Sequence, residues 1–98
     1  MAITYVCNGT GRLYDVAERE TLATIAYRIY RNPATEHKDE EWWGGFALTA
    51  PLAELAEYTL ELEDGRKGTC SVNLRNVSRL SEFLIFYHYD INGISTLK

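Results

Sequence analysis

The sequence predicts an all-β fold: a small antiparallel barrel or sandwich of about six or seven strands, with at most one short helical turn. Three observations lead there. Apolar residues recur at every second position through most of the chain, which is the period of strands with one buried face. Turn-forming pairs, Asp64-Gly65 and Asn92-Gly93, punctuate these runs. And 98 residues are enough for one domain (1–98) but not two, so this many apolar strand faces are buried only if the sheet closes or stacks on another.

The elements follow in chain order. Ile3 to Tyr14 carries β-branched and aromatic residues broken by Asn8-Gly9-Thr10-Gly11, and reads as a bent strand or a small hairpin. In residues 21–31, Leu22, Ile25, Ala26 and Ile29 would suit a helix face, while Ile25, Tyr27 and Ile29 alternate as in a strand. The β-branched and aromatic content, with strands on both sides needing a sheet neighbour, favours strand over helix. Asn32-Pro33 ends it, and residues 34–41 form a polar loop. Trp42 and Trp43, if on a strand, face opposite ways, so only one enters the core. Pro51 to Ala56 reads as one helical turn with Leu52 and Leu55 inward.

Tyr58 to Glu63 and Gly68 to Leu74 read as two half-buried strands. A two-residue Asp64-Gly65 loop would set Leu60 opposite Thr69 and put the two apolar faces on opposite sides of the sheet. A three-residue loop, Glu63 to Gly65 with Gly65 left-handed, sets Leu62 opposite Arg66, Leu60 opposite Gly68 and Tyr58 opposite Cys70, so the faces agree. A five-residue loop, Asp64 to Gly68, has the same parity, and the two remain open. Phe83 to Ile91 is apolar on one face and half-apolar on the other, as in a central strand. Asn92-Gly93 then suggests a tight turn into a short return strand, Ile94 to Leu97.

Composition narrows the function classes. A formal charge of -4 gives no general attraction to phosphate backbones or anionic lipid, so neither nucleic acid nor membrane is an expected partner. No apolar run approaches the roughly 20 residues of a spanning helix. The N-terminus lacks the basic start and apolar core of a secretion signal, and Cys7 and Cys70 read as reduced packing thiols, so a cytoplasmic location is expected.

Trp43-Gly44-Gly45 followed by Ala56-Glu57-Tyr58-Thr59-Leu60-Glu61-Leu62-Glu63-Asp64-Gly65-Arg66-Lys67-Gly68 resembles a group of small uncharacterised bacterial all-β proteins. In that group a Trp-x-Gly element precedes Gly-Glu-Tyr-x-Leu-x-Leu-Glu-Asp-Gly-Arg-x-Gly. Gly9 to Asp15 resembles the group's opening strand, and Ile25 to Pro33 its second. Ala56 departs from the usual glycine, and Trp42 is additional. The resemblance implies an all-β fold, lends no catalytic residue, and makes Trp43 the regular, buried tryptophan. Trp42 is then the surplus ring, lying flat on the surface or anchoring an interface.

Catalytic chemistry is sparse. His37 lies in an acidic loop without the ligand alternation of a calcium site, and His88 reads as a satisfied strand residue. Cys70 and His88 would make a thiol site only if their side chains met, and a cysteine on an apolar strand face is usually inert. No cofactor or metal is expected. Stacking of nucleobases on residues 83–89, with Arg28, Arg31, Arg75 and Arg79 on phosphates, is weaker than a core role for those rings. The expectation is therefore a non-enzymatic β-module that binds a protein partner or its own copies, with Trp42, Tyr27 and Tyr30 at the contact. A barrel holding a small apolar ligand is the alternative.

Overall fold

The computed structural model describes residues 3–98 and consists of six strands: β1 (Tyr5–Asp15), β2 (Thr21–Asn32), β3 (Glu41–Leu48), β4 (Tyr58–Glu61), β5 (Lys67–Arg79) and β6 (Ile85–Gly93). Every pairing is antiparallel, and the sheet closes on itself in the order β1-β2-β3-β6-β5-β4. A barrel rather than a sandwich therefore buries the apolar faces, and the described residues contain no helix.

Alternation works as expected in the strands. Ile25, Tyr27 and Ile29 of β2 point inward and are buried, and residues 21–31 are strand. Tyr58 and Leu60 of β4, Cys70 of β5, and Tyr89 and Ile91 of β6 fill the interior with them. The β4–β5 register pairs Tyr58 with Cys70 and Leu60 with Gly68. Leu62 N–H donates to the Arg66 carbonyl at 2.8 Å, and Gly65 has a φ of 91°, so the loop is the three-residue form with Gly65 left-handed.

Two local expectations are corrected and one is narrowed. Of the two readings of Ile3 to Tyr14, the hairpin is excluded and the strand occurs: β1 runs through Gly9 and Gly11, whose missing side chains make room for the Tyr27 ring, and its register shifts between Leu13 and Tyr14. Asn92-Gly93 makes no turn, since both residues are paired in the sheet and the chain continues along β5, where Lys98 and Lys67 exchange backbone hydrogen bonds at 2.9 Å. Pro51 to Ala56 forms no helical turn. There the Leu52 and Leu55 amides donate instead to the hydroxyls of Tyr89 and Tyr58, at 2.8 and 2.9 Å, and the Tyr58 hydroxyl donates to the Ala53 carbonyl. Leu52 packs against the core while Leu55 is exposed. These tyrosines thus tie the 49–57 connection across one end of the barrel.

The strands are staggered, so the ladder is unequal along its length. β4 covers β5 only as far as Cys70, and β3 pairs with β6 only back to Tyr87. From Ser71 to Val77, β5 pairs with β6 alone while β6 still pairs with β3, with a bulge between Leu74 and Asn76; only Ser78 opposite Phe86 and Arg79 opposite Ile85, with the turn that joins them, have no third strand. This two-stranded arm projects from the barrel and contributes to an elongated outline of 51 × 33 × 23 Å.

Candidate functional site

Two of the three residues expected at a contact surface are inside. Trp42 is only 3% exposed, and its indole N–H donates to the Ser95 carbonyl at 2.5 Å. The ring lies over Gly93 and Gly68, where a Cβ would collide with it. Tyr27 is buried too, its hydroxyl accepting the Glu63 amide at 3.0 Å. The expected roles of the tryptophans are reversed because Trp42 shares its strand face with Gly44 and the buried Phe46, whereas Trp43 faces out. Tyr30 remains at the surface, half-buried, stacked on Trp43 with ring centroids 5.8 Å apart and planes 17° apart.

That stack forms one wall of an outer hollow of about 430 Å³. Arg28, Gly45 and Asp90 occupy one row across β2, β3 and β6, so the glycine in the middle leaves a gap between two charged side chains. Arg75 and His88 close the side nearest the arm. Arg28 is held by its Nε–H, which donates to the Asn8 side chain at 3.0 Å, and has no carboxylate partner within ion-pair distance among the described residues. Arg75 approaches Asp90 only loosely, at 3.7 Å. The hollow thus offers a flat aromatic wall beside an unpaired guanidinium, a combination suited to a ring that carries negative charge next to it.

The arm ends in a cluster that the periodicity did not single out. Phe83 is 94% exposed and Leu80 67%, with Val77 and Leu84 also exposed. The tip is a defined turn: Leu80 N–H donates to the Leu84 carbonyl at 2.9 Å, and the Ser81 hydroxyl accepts the amides of Phe83 and Leu84 at 3.3 and 3.1 Å. Phe83, expected at the start of a central strand, lies outside β6 altogether. The signal was present in the sequence, because Ser81-Glu82 interrupts the alternation between apolar Leu80 and Phe83-Leu84.

The remaining reactive groups do not converge. Cys70 faces the interior, fully buried, while His88 faces outward and shares a hydrogen bond of 3.0 Å with Ser78. Burial pushes the Cys70 thiol from its ordinary 9.0 up to about 12, the opposite of an activated nucleophile. His37 is exposed, 3.8 Å from Glu36, and no group of three metal-ligating side chains occurs among the described residues. Folding therefore keeps the Cys70 proton on where the unfolded chain would release it. Its contribution to stability is fully present below about pH 9 and declines as pH rises toward 12. Burial also raises the Tyr27 hydroxyl, which adds a loss of the same sign. Urea titrations from about pH 8 to about pH 11 should show falling stability, flattened in Cys70→Ala. A thiol reagent should label half-buried Cys7 in the folded protein but Cys70 only after denaturation; prompt labelling of both would contradict the burial.

No family model, curated protein or solved structure matches the chain. Among the described residues, no helix is long and apolar enough to cross a membrane.

Proposed function

We propose that this chain is a non-enzymatic β-module that works by protein contact, with a partner protein or with its own copies, through the β5–β6 arm. One observation carries the reading: an ordered, two-stranded arm presents Leu80, Phe83 and Leu84 to solvent at its tip. Contiguous exposed apolar clusters on small domains mark contact sites, and a lone two-stranded ribbon is marginal until something packs on it. A cytoplasmic setting accords with two free thiols.

The test is a Leu80→Ser, Phe83→Ser double variant, assayed by light scattering of the purified protein and by pull-down with tagged chain as bait. Association with its own copies or with a specific protein should be lost while the unfolding free energy changes by less than about 0.5 kcal/mol, since both side chains are outside the core. Association that survives the double change rejects the arm as the contact surface.

A small apolar ligand is the second reading, moved from the barrel interior to its mouth. Core side chains fill the interior, but Leu52, Val72, Leu74 and Tyr87, together with the polar Glu54 and Asn73, line a hollow of about 390 Å³ where the 49–57 connection meets β5 and β6. Native mass spectrometry of protein from its own host, showing no retained ligand, would remove it.

A further inference from the structure

We infer that the arm tip of one copy docks in the outer hollow of a second copy, with Phe83 against the Tyr30–Trp43 stack and Glu82 beside Arg28. The inference rests on the arm being the contact surface and names what covers it. The two surfaces are complementary in kind. The hollow has an aromatic wall and, beside it, the Arg28 guanidinium without a carboxylate partner; its one carboxylate, Asp90, lies across Gly45 and is approached by Arg75 at 3.7 Å. The tip supplies, in adjacent residues, an exposed ring and a carboxylate with no cationic partner within ion-pair distance among the described residues. Opposite charges placed beside apolar contacts fix which surfaces meet and in what register.

Reach excludes docking within one chain. The β5–β6 ladder runs from the rim of the hollow, at His88 opposite Asn76, out to Arg79 opposite Ile85, and holds the tip away from its own hollow. At about 3.3 Å per residue, the three steps from Asn76 to Arg79 span about 10 Å, and the turn at 80–84 lies beyond them. Two arms laid side by side in opposite directions bring each tip to the root of the other, where the hollow lies. The contact is then made twice about a two-fold axis and closes on itself, as most homo-oligomeric interfaces do. It also covers the exposed apolar cluster of both copies at once.

Charge reversal provides the test, read by sedimentation equilibrium of the full chain. Wild-type protein should sediment as a monomer–dimer equilibrium. Glu82→Arg and Arg28→Glu should each weaken dimerisation by about 10-fold or more, since like charges then face each other at both contacts. Mixing the two variants should restore the dimer: the reversed tip of one meets the reversed hollow of the other, and the two native sites meet each other. Both positions are exposed, and matching far-ultraviolet dichroism and unfolding curves would exclude a folding defect. A wild-type protein that stays monomeric, single variants that dimerise as wild type, or a mixture that stays monomeric each overturns the inference. A monomeric wild type whose arm still captures a different protein would overturn only this inference and leave the proposed function standing. Loss of arm dependence in every association would overturn both.

Discussion

Trp42→Ala should destabilise the barrel by about 3–5 kcal/mol, and Trp43→Ala by less than about 1.5 kcal/mol, although the two residues are neighbours with the same side chain. The difference comes from the face each occupies. Trp42 is 3% exposed, covers Gly68 and Gly93, and bonds the Ser95 carbonyl, so its removal opens a cavity and leaves a buried acceptor without its donor. It also detaches the C-terminal tail, whose Leu97 packs in the core beside Gly68. Trp43 stacks on Tyr30 at the surface and loses only that contact. Against a total of about 5–15 kcal/mol for a small domain, the first change leaves little margin and the second is tolerated. Urea unfolding followed by circular dichroism checks the order; a larger loss at Trp43 would reverse the assignment of the faces.

Gly44→Ala should cost about 3 kcal/mol, the upper part of the range for overpacked cores, because the added methyl meets backbone atoms first and these have no rotamer by which to give way. Its Cβ would fall on the carbonyl oxygen of Arg28 in the paired strand, with the Ile29 side chain 3.0 Å away. Relief requires β2 and β3 to separate where Ile29 pairs with Gly44, which sacrifices ladder hydrogen bonds. Gly45→Ala, one residue on and facing outward, meets only the Tyr89 carbonyl at 3.0 Å and should cost clearly less. Equal losses at 44 and 45 would mean that the close approach of β2 and β3 is not what requires glycine there. The same comparison bears on the hollow, which exists because Gly45 carries no side chain.

Much of this architecture was legible in residue order. Alternation in residues 21–31 favoured strand, and the parity argument excluding a two-residue loop at Asp64-Gly65 left two forms, of which the three-residue one occurs. The face of β3 was legible as well, since Trp42, Gly44 and the apolar Phe46 are of one parity. The resemblance to other small β proteins, weighed above that parity, pointed to the wrong tryptophan. Asn92-Gly93 misled for a different reason. Asparagine followed by glycine favours a tight turn in an isolated hairpin, but here the glycine is required by an indole that arrives from fifty residues earlier in the chain.

Period-two burial and the left-handed Gly65 turn follow from local residue order, because each depends on side chains a few positions apart. Closure into a barrel, the seating of Trp42 over Gly68 and Gly93, the hollow between Arg28 and Asp90, and the extension of the β5–β6 turn past the other strands were decided only by tertiary structure. Each of these depends on where the stagger of six strands ends one pairing and begins another. That register joins residues far apart in the chain, and no window along the sequence contains it.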